Sequence, residues 1–146
     1  MIKKEIDYIH RTDLEIPNLA IIWIEIPLTK SNNLIIAGGY RQWQIPKSCN
    51  INNSGSPANQ KIRWDSLLSK YQIAINEGKD VCTLMDDNIN TLPNADFSNR
   101  AYLSDMKEIF ENFLNDNKIA MLNYEPTRFL SGVDPSCIDH ITTNCP

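Results

Sequence analysis

An apolar run that ends abruptly on acids and amides is the feature that most limits how this chain can fold. Residues 81–90 read Val-Cys-Thr-Leu-Met-Asp-Asp-Asn-Ile-Asn, which is typical of a buried strand that carries polar side chains to the edge of a sheet. Ligands of open α/β sheets bind at the carboxyl ends of the strands, so these polar side chains are candidates for chemistry. The candidates are Asp86, Asp87, Asn88 and Asn90.

Two interpretations of this segment compete. Alternation along an extended chain would place Asp86 and Asn88 on one face and Asp87 on the other. A carboxylate and an amide that project together can hold an attacking or metal-bound water and a phosphoryl oxygen. Asp and Asn also form turns, because their side chains bond the nearby backbone and tolerate left-handed conformations. The segment alone favours the turn, so the catalytic interpretation depends on the rest of the chain.

Hydrophobic patterning predicts an alternation of strands and helices. β-Branched and apolar runs predict strands, and apolar residues at helical spacing predict two amphipathic helices. The predicted strands are 6–11, 19–26, 34–40, 80–85 and 119–123, and the predicted helices are 59–76 and 103–114. The strands 19–26 and 34–40 follow so closely that they form a hairpin, and Gly78 is placed to end the first helix.

This order of elements predicts one α/β unit over residues 1–146, with loops at 46–59 and 91–99. We expect the strand 80–85 to be central in the sheet, with both helices on one side of it. The chain is 42% hydrophobic and 22% charged, which is ordinary for one globular domain. No stretch approaches the ~18 apolar residues of a membrane span, and the start lacks the apolar centre of a signal peptide. The sequence therefore predicts an intracellular protein without a membrane partner.

Cysteine spacing argues against a zinc site, and the net charge argues against one mode of nucleic-acid binding. Four cysteines at positions 49, 82, 137 and 145 match no paired zinc-ligand spacing, so we expect free thiols. With 14 basic and 18 acidic residues the net charge is −4, which argues against sequence-independent nucleic-acid binding through phosphate neutralisation. It does not argue against catalysis, because a bound divalent cation can supply the positive charge that meets a phosphate.

Three separated segments together resemble a known family. They are Gly38-Gly39-Tyr40-Arg41, Met85-Asp86-Asp87-Asn88-Ile89-Asn90, and Pro126-Thr127-Arg128 with Ser136-Cys137-Ile138-Asp139-His140-Ile141. In this order and spacing they resemble the endonuclease/exonuclease/phosphatase family, most closely the endonuclease domains of LINE-type non-LTR retrotransposons. The resemblance covers most of the chain. It implies part of a four-layer, deoxyribonuclease-like α/β sandwich, truncated at both ends.

The resemblance implies catalytic roles for four residues. Asp86 and Asn88 match the family's Gly-Asp-Phe-Asn motif, in which the Asp positions or deprotonates the attacking water and the Asn contacts the scissile phosphate. Tyr40 matches a tyrosine that lies near the phosphate, although alone it is better explained as aromatic packing in the hairpin. Asp139 matches the aspartate that orients the catalytic histidine.

The resemblance also implies substrate contacts and a metal. Arg41, Asn90 and Arg128 are the expected substrate-binding residues, Asp86 is a weak candidate metal ligand, Mg²⁺ or Mn²⁺ is the expected cofactor, and DNA is the ancestral substrate. This chain departs from the motif in two places. Met85 replaces the Gly and lacks its backbone freedom, and Asp87 puts a charge where the family packs a ring.

Part of the family's catalytic set has no match here. His140 is not expected to be the catalytic histidine, which lies in a later Ser-Asp-His motif, and the family's Asn and Glu metal ligands come from earlier strands. We therefore expect little or no turnover, and association through unpaired strand edges. Two rivals remain open: a phosphomonoesterase or phospholipid phosphodiesterase of the same fold, and a non-catalytic binding module.

Overall fold

A six-stranded mixed sheet organises the chain. The computed structural model describes residues 6–17, 19–28, 32–41, 55–98 and 101–145. The strands are β1 (Ile9–His10), β2 (Ala20–Ile26), β3 (Leu34–Tyr40), β4 (Asp80–Asp86), β5 (Ala120–Met121), β6 (Arg128–Leu130), β7 (Val133–Ser136) and β8 (Asp139–Thr143). The helices are α1 (Pro57–Asn76) and α2 (Ala101–Asp116). The main sheet has the order β1-β2-β3-β4-β8-β5, and β6 and β7 form a separate two-stranded sheet.

The central position predicted for the strand near 80–85 is confirmed. β3 and β4 run parallel, with α1 between them in the chain, as a parallel crossover requires. β8 pairs antiparallel with the other side of β4. The predicted hairpin is also confirmed, since β2 and β3 pair antiparallel along their whole length. The sequence prediction of an α/β fold therefore holds.

Local signals explain where α1 begins and ends. The Ser56 hydroxyl accepts a hydrogen bond from the backbone N–H of Asn59 at 3.3 Å, and Pro57 occupies the first helical turn, where its missing N–H costs nothing. At the other end Gly78 has φ +69° and its N–H bonds to Ile75 O at 2.9 Å. This is the left-handed cap predicted for Gly78.

Both helices pack on the same face of the sheet, as predicted. Trp64 and Phe110 meet edge to face with ring centroids 5.3 Å apart, which joins α1 to α2. The ring centroid of Tyr71 lies 5.3 Å from that of Phe113 and 6.2 Å from that of Trp23 on β2. These aromatic side chains form the centre of the core, where truncation of one to Ala costs about 3–5 kcal/mol.

The opposite face of the sheet, which we call the outer face, carries exposed apolar side chains. Ile22, Gly38, Leu84 and Ile141 are register partners across β2, β3, β4 and β8. Ile22 is 53% exposed and Leu84 is 47% exposed. The two edge strands have only two residues each. Association through strand edges stays a prediction, and the outer face offers a second exposed apolar surface for association.

Several boundaries differ from the predictions. The strand expected at 6–11 is reduced to Ile9–His10, and a 3₁₀ helix follows it at Thr12–Leu14. The strand expected at 119–123 is reduced to Ala120–Met121, and the β6–β7 hairpin was not predicted. Of the loop expected at 46–59, residues 46–54 lie outside the described residues, and residues 57–59 belong to α1.

The described cysteines, Cys82, Cys137 and Cys145, are free thiols as predicted, and Cys49 lies outside the described residues. Within the described ranges, no helix combines the length and apolar character needed to cross a membrane.

Candidate functional site

Three of the four predicted catalytic residues lie side by side at one end of the sheet. Tyr40 is the register partner of Asp86 across β3 and β4, and Asp86 is the register partner of Asp139 across β4 and β8. Val81, Thr83 and Met85 are buried toward the helices, so alternation places Asp86 and its partners on the outer face. We call Tyr40, Asp86 and Asp139 the outer row. The register thus brings these three residues together at one end of the sheet.

The electrostatic environment of Asp86 disfavours its charged form. Burial raises the pKa of this carboxyl, and the nearby carboxylate of Asp139 raises it further. The backbone N–H of Asn88 and the charge of Arg128 oppose these effects without cancelling them. The Oδ1 atom of Asp86 is buried, and none of the described residues donates a hydrogen bond to it. An acid in this state can accept a proton or bind a cation.

The donors of the outer row suit a metal only in part. Asp86 has a buried oxygen to which no described residue donates, beside a second carboxylate, and hard oxygen donors of this kind bind Mg²⁺. However, the described residues contain no group of three His, Cys, Asp or Glu that could hold a metal ion. Two carboxylates alone do not form a closed site, so no reaction step through a metal follows from these residues.

Asn88 is a turn residue at the end of the outer row. It has φ +58°, a left-handed conformation that Asn tolerates, and its Nδ2 donates to Arg41 O at 3.1 Å. β4 ends at Asp86, so the predicted alternation does not extend to Asn88. The turn interpretation of this segment is correct for Asn88, and the turn places the residue in the lining of an open cleft.

An open cleft of about 1120 Å³ lies between the loop after β4 and the β6–β7 hairpin. Asn88, Asn90, Arg128 and Ser136 contribute to its lining. Asn90 also has a structural role, because its Oδ1 accepts from Cys137 N at 3.0 Å and from Leu92 N at 3.3 Å. Arg128 is exposed on β6. Among the described residues that line the cleft, it is the one with a positively charged side chain.

The structure corrects the prediction that Arg41 binds substrate. Arg41 is 1% exposed and its guanidinium points into the core. It donates to the backbone oxygen of Asp87 and to Gln60 Oε1, the latter at 2.5 Å. It also lies 5.9 Å from the ring centroid of Trp64. With these interior contacts the side chain does not reach the outer face.

A buried Asp–His pair lies beneath the outer row and was not predicted. Asp87 Oδ2 lies 2.8 Å from His140 Nδ1, and His140 Nε2 lies 2.9 Å from Thr91 Oγ1. Asp87 Oδ1 accepts from Ile89 N at 3.1 Å. Burial raises the pKa of Asp87, although the bond from His140 opposes this effect. The Asp87 side chain is therefore partnered, and His140 is not part of the outer row.

One signal in the sequence indicates that Asp87 and His140 both face inward. Asp87 and His140 each follow a member of the outer row, so strand alternation turns both inward. Their pairing could not be read from the sequence, because 53 positions separate them and the register of β4 and β8 is set only in the folded sheet.

Comparisons with known proteins support the fold and leave the family open. No family model matches this sequence, and no curated protein matches it. Solved structures of similar fold include the endonuclease domain of TRAS1, a telomere-specific non-LTR retrotransposon, with a TM-score of 0.58 and 12% sequence identity. The similarity covers 97% of this chain and 55% of that one. The chain thus has a deoxyribonuclease-like α/β fold and spans about half the length of that domain.

Proposed function

We propose that this chain is part of a metal-dependent phosphodiester hydrolase domain of the DNA endonuclease type, of retrotransposon origin. One observation carries the proposal: Tyr40, Asp86 and Asp139, separated by up to 99 positions in sequence, are register partners on three neighbouring strands. The fold of the TRAS1 endonuclease domain supports it. DNA is the proposed substrate.

Each residue of the outer row has a proposed role. Asp86 would position or deprotonate the attacking water, because its environment raises its pKa toward the range of a useful base. Tyr40, which is 42% exposed, would contact the phosphate, and Asp139 would orient a histidine. Asn88 and Arg128 line the open cleft and would bind the DNA backbone.

Mg²⁺ or Mn²⁺ is the proposed cofactor, with Asp86 as its ligand in this chain. The ion would offset the charge that develops on the phosphate. Because the described residues hold no group of three possible ligands, further donors would have to come from elsewhere. We propose that the 146-residue chain has little or no turnover by itself, since catalytic residues act as a unit whose partial loss removes most of the rate.

A non-catalytic binding module is the second candidate. The lack of a three-ligand group among the described residues and the net charge of −4 favour it over a working enzyme. Such a module would keep the cleft and the outer row but would cleave no phosphodiester.

Nicking of supercoiled plasmid DNA in Mg²⁺ separates the candidates. The 146-residue chain should show no nicking, and a protein extended through the flanking reading frame should nick. Asp86→Ala and a chelator should each abolish that activity, and Asp80→Ala at the other end of β4 should not. If the extended protein does not nick, the binding module is favoured. If Asp86→Ala leaves nicking intact, the role given to Asp86 is wrong.

A further inference from the structure

The residues that follow the outer row form a second row inside the protein. Arg41 follows Tyr40, Asp87 follows Asp86, and His140 follows Asp139. Because successive side chains of extended chain point to opposite faces, these three turn toward the helices. Arg41, Asp87 and His140 are 1%, 2% and 1% exposed. We call them the inner row.

Asp87 joins the other two members of the inner row. Its backbone oxygen accepts from Arg41 Nε, and its carboxylate lies 2.8 Å from His140 Nδ1. The backbone repeats the connection, since Arg41 N donates to Asp86 O at 2.8 Å and Asp87 N donates to Ile138 O at 3.1 Å. The inner row therefore links β3, β4 and β8 through both side chains and main chain.

The inner row is also fixed from the helix side. Arg41 donates to Gln60 Oε1 on α1 at 2.5 Å, and the His140 ring packs on Phe110 of α2 with centroids 5.6 Å apart. Thr91 Oγ1 lies 2.9 Å from His140 Nε2. Hydrogen bonds in such a buried interior are stronger than on the surface.

The position of the outer row makes such support necessary. Tyr40 is the last residue of β3, Asp86 is the last of β4, and Asp139 is the first of β8. The ladder has no further pair at this end, and element ends open most easily. The inner row continues the link between the three strands one residue beyond the last pair.

We propose that Arg41, Asp87 and His140 are positioning residues that hold Tyr40, Asp86 and Asp139 at fixed spacing on the outer face. What the outer row does chemically rests on the proposed function, whereas the positioning itself does not. The rival explanation is that the inner row contributes only to overall stability. Removing one member would then weaken both ends of the sheet alike.

Amide hydrogen exchange measured by NMR on the 146-residue chain separates the two explanations. The reporters at the row end are the amides of Arg41 and Thr91, which bond to Asp86 O and Cys137 O rather than to the Asp87 side chain. The reporters at the far end are the amides of Asp80 and Val81, which bond to Asn33 O and Asn144 Oδ1. Loss of one or two charge-assisted hydrogen bonds in Asp87→Ala should speed exchange at the row end by roughly ten- to hundredfold, with a smaller change at the far end.

Two further variants keep this test decisive. Asp87→Asn keeps the side-chain size and one acceptor oxygen, so its acceleration should be smaller but still confined to the row end. Leu114→Ala removes a buried side chain of α2 and should speed exchange at both ends alike. If Asp87→Asn speeds exchange equally at both ends, or does not speed it at the row end, the proposal is wrong. This result decides the test even if Asp87→Ala does not fold. If the extended protein does not nick plasmid DNA, that outcome counts against the proposed function and leaves the hydrogen-exchange result unaffected.

Discussion

Gly39, next to Tyr40, allows a sharp test of how β2 and β3 pack beside the outer row. A Cβ atom at Gly39 would lie 2.7 Å from Ala20 O, 2.7 Å from Ile21 Cγ1 and 2.9 Å from Ile21 Cα. Two of these atoms belong to the backbone, so the hairpin must shift to accept a methyl group. A Cβ at Gly38 would meet nothing within 4 Å. The two neighbouring glycines therefore form a matched pair.

We expect Gly39→Ala to destabilise the fold by about 1–3 kcal/mol, the usual cost of overpacking. For a chain of this length, unfolding entropy of ~2.1 cal/mol/K per residue converts this to a fall in Tm of roughly 3–10 °C. Gly38→Ala should instead raise stability by about 0.4–1 kcal/mol, because it restricts the unfolded chain without strain in the folded one. Thermal unfolding followed by circular dichroism, with urea titration as a second measure, checks both values. Equal effects of the two substitutions would refute the packing described for this hairpin.

Three further predictions concern charge and the outer face. Burial and a neighbouring carboxylate raise the pKa of Asp86, so its ionisation lowers the stability of the fold as pH rises. Asp86→Asn should therefore raise Tm at pH 7 and raise it less toward pH 4. The control Asp80→Asn should not raise Tm. Burial alone would raise the pKa of Glu25, but bonds from basic and amide groups lower it; Glu25→Gln should lower Tm at pH 7, and the difference should vanish as acid protonates the wild-type carboxylate. Leu84→Lys puts a charge on the apolar outer face and should reduce self-association, measured as concentration-dependent light scattering. Ile62→Lys on α1, whose wild-type side chain is 61% exposed, should not reduce it.

Patterning in the sequence was sufficient to predict three strands of the main sheet, β2, β3 and β4. The two apolar runs at 19–26 and 34–40 are separated by a short polar turn, and this proximity alone indicates a hairpin. The period of α1 predicted its buried face correctly, including Trp64, Leu67 and Tyr71. The start of α1 was placed two residues late, although Ser56 followed by Pro57 is a recognised start signal.

Other parts could not be predicted because long-range register decides them. Arg41 reads as a surface cation until β3 is seen to turn it toward Gln60 and Trp64. The β6 strand is exposed at all three positions, so no alternation of apolar and polar residues marks it. The outer row was predicted from the resemblance to a family, whereas the inner row beneath it depends on which strands become neighbours.

Binding of DNA at the outer row is the most direct test of the account, because it requires no turnover. A ¹⁵N-labelled chain would be titrated with a short DNA duplex in Mg²⁺ and followed by amide chemical shifts. We expect weak binding, because of the net charge of −4, with shifts concentrated at Tyr40, Asp86, Asn88, Arg128 and Asp139 and weakened by added salt. Shifts confined to other surfaces, or no shift at any DNA concentration, would contradict the assignment of this site to nucleic acid.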